Sequence, residues 1–359
     1  MTPISLCMIV RDEEALLGRC LESVKDVVDE ICILDTGSKD KTVEIAEQHG
    51  ARVESFEWCS DFSAARNASL KLATHDWILV IDADETLKNP EEARTKLQTF
   101  MKAHAGKAGH IQVENSLGGG DSSNTRVTRF FPSGTDWKFE GRIHEQILFK
   151  GSTPQRAFTE LAVDHVGYSP ELMQEKDKVG RNEKLLCEAL AADPSDSYTA
   201  YQLGRTLVQE NRFAEALEAL ELSVEHVADD AAYIGHLFET AASCLRELGH
   251  SEQALAWLSN IEAQFRDRAD TCFLIALLAM DTGELDRAKS GFEHCLTLAG
   301  TTPRGGVSWP AASTWAAQAN LGVLAEALYQ PDEAKSRYQA ALATNPEHEA
   351  SLAGLARLT

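Results

Sequence analysis

Two carboxylates one residue apart, Asp82 and Asp84, stand directly after the apolar run 77–81. Beyond a buried strand, such a pair can reach a hard divalent cation and the diphosphate it carries, because Mg²⁺ and Mn²⁺ take oxygen ligands and share them with phosphates. The competing account is an ordinary acidic turn. Asp35 stands in the same way after the run 30–34. Its carboxylate either accepts hydrogen bonds from a base or ribose or caps the following helix, since Asp caps well; the residues alone leave both open. Arg66 comes early in the amphipathic stretch 63–74. There it could pair with a phosphate or a nearby acid, or lie in solvent. Farther along, Trp137, Glu140, Arg142, His144 and Glu145 crowd into nine residues. Polar and aromatic residues concentrated on a loop point to binding. A glutamate there suits a general base on an acceptor hydroxyl, amide or thiol. A histidine such as His144 or His165 near two aspartates could complete an oxygen/nitrogen metal site, although a single histidine is as a rule structural.

These side chains need elements to place them. Residues 4–10 are a short apolar run, and 13–28 carry Leu16, Leu17, Cys20, Leu21 and Val24 at helical spacing. A second strand at 30–34 ends in the turn cluster 35–38; a helix at 42–49 stops at Gly50; a third strand covers 51–56; a helix at 63–74 precedes the fourth strand at 77–81. Strands alternating with helices imply βαβ units and a mostly parallel sheet. In such sheets ligands bind at the carboxyl ends of the strands, so one crevice could hold Asp35, Asp82 and Asp84. A helix is expected at 92–105, a loop around Gly118, Gly119 and Gly120, and strands at 125–131, 143–149 and 161–166.

After about Ser169 the strand pattern stops, and Ala, Leu and Glu dominate at helical spacing. Similar helical pairs recur, marked by Ala216, Ala254, Ala288 and Ala334 at spacings of 38, 34 and 46 residues. A period near 34 is that of TPR helix pairs, and the Gly-, Pro- and Thr-rich insertion 301–310 accounts for the long gap. Gly204, Gly249, Gly283 and Gly322 fall where a small residue would let paired helices approach. A non-repeating helical bundle is the alternative.

The chain has 359 residues, 43% of them hydrophobic, and a formal charge of −22. That length suits two or three domains. So acidic a surface repels phosphate backbones, which excludes nucleic acid as the main partner. No apolar run approaches the ~20 residues needed to span a bilayer. The N-terminus lacks a basic segment and runs straight into a strand, so no secretory leader and a cytoplasmic location are expected. The eight cysteines form no C-x-x-C pair and read as buried free thiols of a reducing compartment.

Four motifs in order, ISLCMIVRDEEALLGRCLESV at 4–24, EICILDTGSKDKTVEIA at 30–46, FSAARNASLKLA at 62–73 and DWILVIDADETL at 76–87, resemble family 2 glycosyltransferases of GT-A fold. The segments FEGRIHEQI at 139–147 and VDHVGY at 163–168 look like a bacterial subgroup that often carries TPR tails. The resemblance implies an α/β GT-A domain, Rossmann-like with a mostly parallel sheet, over residues 1–170, and an all-α TPR-like repeat domain over 171–359. It implies that Val10, Arg11 and Glu13 line the nucleotide base and that Asp35 binds it. Arg66 would stand near base and phosphates. Asp82 and Asp84 would hold ribose and metal, with Asp84 the direct ligand and His165 completing the site. The family's Glu-Asp pair before a helix is missing; His144-Glu145 occupies the comparable region, so Glu145 is assigned the base, and Trp137 and Arg142 the sugar or acceptor pocket.

The resulting expectation is an inverting, Mn²⁺- or Mg²⁺-dependent transfer of a sugar from a nucleotide-sugar, a UDP-sugar above others, to a protein, peptide or glycan acceptor that the repeats recruit. The alternative is a TPR-based binding or scaffold protein with a degenerate sugar-nucleotide domain. A nucleotidyltransferase is disfavoured: Arg11-Asp12-Glu13-Glu14 is acidic and glycine-free where a phosphate loop would stand.

Overall fold

The computed structural model describes residues 1–118, 121–165, 176–301 and 307–358. The chain divides into two compact units, Met1–Asn115 with Arg126–Lys176, and Ser116–Thr125 with Asp177–Thr359. The expected boundary between 170 and 171 lies outside the described residues, as do Gly119 and Gly120, the last three residues of VDHVGY, and 302–306 of the insertion.

The first unit begins with β1 (Ile4–Val10), α1 (Leu17–Val24), β2 (Glu30–Asp35), α2 (Thr42–Gln48), β3 (Arg52–Ser55), α3 (Phe62–Leu70) and β4 (Trp77–Val80). It continues with β5 (Glu85–Leu87), α4 (Pro90–Ala103), β6 (Ala108–Gly118), β7 (Asp121–Pro132), β8 (Trp137–Glu140), β9 (Gln146–Phe149) and β10 (Arg156–His165). The main sheet runs β3-β2-β1-β4-β7-β6-β10-β5. Its first four strands are parallel, β7 runs antiparallel to β4, and β10 is parallel to β6 but antiparallel to β5. The apolar residues of β1 alternate between two cores. Leu6, Met8 and Val10 join Leu17, Cys20, Leu21 and Val24 of α1 on one face, while Cys7 joins Ala65 of α3 and Trp137 and Phe139 of β8 on the other. A strand buried on both faces reads as a continuous apolar run, which is why β1 and β4 were legible.

Three strands were not. β5 has three residues, too few for a period, and β6 and β8 carry polar residues along half-buried faces. The expected strand 143–149 begins only at Gln146, because Gly141 and His144 both take left-handed backbone, with φ of 99° and 53°. Residues 141–145 are instead the loop between the antiparallel strands β8 and β9.

The second unit comprises α5 (Lys176–Ala192) and the helices α6 (Ser197–Gln209), α7 (Phe213–His226), α8 (Ile234–Glu247), α9 (Ser251–Ser259), α10 (Ala269–Asp281), α11 (Leu285–Thr297), α12 (Trp315–Ala327), α13 (Pro331–Thr344) and α14 (Glu349–Arg357). The four marker alanines sit at no exposure on α7, α9, α11 and α13. Gly204 and Gly322 permit close helix approach: a Cβ there would come 2.5 Å from Leu220 and 2.6 Å from Tyr338. Gly249 and Gly283 do not. Both have φ of +82° with nothing within 4 Å, so they end helices α8 and α10 in left-handed turns. The insertion ends in β11 (Val307–Ser308), paired antiparallel with Asn124 and Thr125, which belong to this same unit. No helix among the described residues is long and apolar enough to cross a membrane.

Candidate active site

Asp35 and the Asp82–Asp84 turn both lie at the carboxyl edge of the parallel strands, on either side of β1. Asp35 is level with Val10, and β4 ends opposite Cys7, so the chain reaches Asp82 two residues beyond it. Asp35 is nearly buried and accepts backbone hydrogen bonds from Gly37 (3.1 Å) and Ser38 (3.1 Å). It therefore shapes the turn after β2 and does not cap the next helix, which begins at Thr42 with no side-chain cap. Val10 is buried, and its carbonyl accepts from the Thr36 amide and hydroxyl. Arg11 is exposed beside Asp12, and the Glu13 amide donates to Thr42 Oγ1 at 2.7 Å.

The helix α3 is started by Asp61, whose carboxylate accepts from the Ala64 amide at 2.9 Å. It carries Arg66 and Asn67 inward. Asn67 makes two 2.8 Å hydrogen bonds to the Phe139 backbone, one as donor and one as acceptor. This clamps β8, and with it the loop 141–145, against α3. Arg66 then bridges two carboxylates: Nη2 donates to Asp82 Oδ1 at 2.7 Å and Nε to Glu145 Oε1, while its guanidinium lies 5.6 Å over the Phe139 ring.

Arg129, which no motif flagged, reaches in from β7. Its Nη2 donates to Asp82 Oδ2 at 2.6 Å and lies 3.3 Å from Glu85 Oε1. Glu85 Oε2 accepts the Asp82 amide at 2.9 Å. Asp82 thus has a guanidinium on each oxygen. Burial works to raise its carboxyl, but Arg129 and Arg66 outweigh that and hold it far below the usual carboxylate range. Burial dominates at Glu85, whose carboxyl is raised despite Arg129.

Asp84 faces elsewhere. His165 Nε2 is 3.1 Å from Asp84 Oδ2, and its Nδ1 is 2.7 Å from Asn115 Oδ1. The hydrogen bond to Asp84 pushes the imidazole upward against burial. An imidazole anchored through one ring nitrogen, with the other beside a carboxylate, is a donor set that suits a divalent cation. Asp84 and His165 fit such an ion, whose remaining ligands a substrate phosphate can supply. Asp82 is the poorer direct ligand, since a guanidinium already lies on each of its oxygens and neutralises its charge. Among the described residues no group of three or more His, Cys, Asp or Glu side chains gathers for a metal.

The sequence-expected residues therefore separate. Arg66, Asp82, Glu145, Asp84 and His165 form one constellation. Trp137 is 6% exposed and packs 5.5 Å from Phe131, so it supports the core rather than lining a pocket. Arg142 holds the loop by its carbonyl, which accepts from Phe62, and by Nη2 at 3.3 Å from the Ser60 carbonyl. His144 shapes the same loop through its left-handed backbone. Arg129, Glu85, Asn67 and Asn115 are additions; an arginine within an otherwise apolar strand end, TRFF at 128–131, is the only local hint of the first.

Residues 5–150 match the family model described as glycosyl transferase family 2, and residues 269–302 that described as tetratricopeptide repeat. The chain is 36% identical over 263 residues to a TPR repeat-containing protein of Synechococcus elongatus, covering 71% of this chain and 64% of that one. It is 32% identical over 233 residues to the SPbeta prophage-derived glycosyltransferase SunS of Bacillus subtilis, covering 63% of this chain and 54% of that one. The chain thus spans less than two thirds of the length of either relative.

Proposed function

With a glycosyl transferase family 2 domain at its N-terminus and a tetratricopeptide repeat toward its C-terminus, we propose that the chain is a metal-dependent, inverting glycosyltransferase using a nucleotide-sugar donor, a UDP-sugar first among them. The observation that carries this reading is the division of labour in the Asp82-Ala83-Asp84 turn: one carboxylate is neutralised by two arginines, and the next is paired with a histidine. Asp84 and His165 would hold the divalent cation, which when bound supplies positive charge to the leaving diphosphate. Arg66 adds fixed positive charge close by. Glu145, with one oxygen on Arg66, takes the proton from the acceptor through the other. The acceptor atom then attacks the anomeric carbon from the face opposite the diphosphate, the bond to the diphosphate oxygen breaks, and the configuration inverts. The repeats recruit a protein, peptide or glycan acceptor.

The test is a thermal-shift panel of UDP, GDP, CMP and dTDP and their common sugars, with Mn²⁺, Mg²⁺ or EDTA. A ligand bound only by the native state adds about 2.7 kcal/mol at a hundredfold excess over its Kd. The expected result is a shift with UDP and its sugars that EDTA abolishes. No shift with any nucleotide would move the function to the repeats, as a binding protein whose first domain has lost its donor.

Glu145→Gln keeps an oxygen for Arg66 but cannot accept a proton. It is expected to lower transfer by roughly 10²–10⁴-fold while the UDP shift persists. Unchanged transfer would place the base elsewhere.

A further inference from the structure

We propose that Arg129 is a positioning residue that holds Asp82 out of cation coordination, so that the Asp82-Ala83-Asp84 turn meets a cation through Asp84 alone. This rests on the reading that Asp84 and His165 bind a divalent cation.

Two carboxylates one residue apart can both reach a hard cation. Here the turn is braced so that they do not. The Glu85 amide donates to the Asp82 carbonyl at 3.0 Å, and the Cys20 thiol lies 3.3 Å from the same oxygen. Glu85 Oε2 in turn accepts the Asp82 amide, and Glu85 Oε1 faces Arg129. Arg129, Asp82 and Glu85 thereby close a ring that turns the Asp82 carboxylate toward the two guanidiniums. The arginine is nearly buried, at 11% side-chain exposure, and its Nε is buried with no hydrogen-bond partner. Leaving a buried donor unmade is unfavourable. The group is kept there for the charge its Nη2 delivers to Asp82 and Glu85, not for a full set of hydrogen bonds. With Arg129 in place, the cation site has one carboxylate and one imidazole, so tight cation binding requires the phosphates of the nucleotide. Metal and donor then arrive as a unit.

The experiment is a titration of the full chain with Mn²⁺ alone, reading free Mn²⁺ by electron paramagnetic resonance. Asp84→Asn is expected to weaken binding on the order of tenfold or more, whereas Asp82→Asn leaves it within about twofold. Arg129→Met frees Asp82 Oδ2 and is expected to tighten Mn²⁺ binding on the order of tenfold. Asp82→Asn added to Arg129→Met abolishes that gain, and Arg129→Lys, which keeps the charge, stays near wild type. A role for Arg129 in packing alone would not raise metal affinity. Equal losses in Asp82→Asn and Asp84→Asn, or no gain in a folded Arg129→Met, each overturn the inference. Should Arg129→Met fail to fold, Arg129→Gln, which removes the charge but keeps a polar group, is read in its place: tighter Mn²⁺ binding supports the inference and no gain overturns it. Because no nucleotide is present, failure of the glycosyl-transfer reading shows separately, as absence of donor binding in the thermal-shift panel.

Discussion

Asp84→Ala is expected to reduce sugar transfer by about 10³-fold or more, with little change in melting temperature. The rate loss follows from removing the carboxylate that would hold the cation: transition-state charge stabilisation of several kcal/mol disappears, and each ~1.36 kcal/mol is a factor of ten. The fold is spared because Asp84 is 29% exposed and its contact with His165 is a partly solvated pair, worth on the order of 1 kcal/mol. Asp82→Ala behaves differently. It strips both Arg66 and Arg129 of a carboxylate, so it lowers stability as well as rate. Measured rates and melting temperatures of the two variants check this contrast. Full transfer by Asp84→Ala would sink the cation assignment.

The largest stability effect is expected in the helical unit, from Arg268→Met. Arg268 lies between α9 and α10 and makes a two-pronged pair with Glu239 of α8, Nε to Oε1 at 3.0 Å and Nη2 to Oε2 at 2.8 Å. Nη2 also donates to the Val307 carbonyl at 3.0 Å, and Thr271 Oγ1 hydrogen-bonds Glu239. Both charged side chains are almost fully buried, at 3% and 9% exposure. Removing one partner of such a pair leaves a buried charge uncompensated and costs about 3–5 kcal/mol. Asp270 adds to the loss. Its carboxylate accepts the Trp309 amide at 2.7 Å, and burial, then Glu239, push its carboxyl up to about 7 against the opposing Arg268. A carboxyl raised in the folded state favours folding below its unfolded value near 4, and that contribution is lost as pH rises through about 7. Without Arg268 the opposing influence is gone. The deficit of Arg268→Met is therefore expected to be larger at pH 8 than at pH 5, read from the helical circular-dichroism signal in urea. A deficit below about 1 kcal/mol at pH 8 would contradict the buried-pair account.

Much of the site was visible as residues but not as an arrangement. Asp82 and Asp84 follow the apolar run of β4, and an acidic turn beyond a buried strand is a local signal. Glu145 stood out by its crowded neighbours. That Arg66 would join Asp82 to Glu145 was not legible, because those partners lie 16 and 79 residues away. Arg129 carried no motif at all: its role depends on β7 pairing beside β4, a sheet order that no spacing encodes. Trp137 misled for the complementary reason. An aromatic next to charged residues looks like a binding group, yet alternation along β8 turns Trp137 and Phe139 into the core and Lys138 and Glu140 outward.

By itself the sequence determined what depends on neighbours along the chain. The apolar runs of β1, β2 and β4, the amphipathic period of α1 and the recurring alanines of the helical pairs are all short-range consequences of backbone period. It also determined the domain types, since the matches at 5–150 and 269–302 rest on such local segments. Tertiary structure decided what depends on which strand lies beside which. It brought Arg129 to Asp82 across 47 residues of sequence and His165 to Asp84 across 81, and so gave the two aspartates different partners. Backbone periodicity is written in runs of a few residues; an ion pair across a sheet is settled only when the order and register of the strands are.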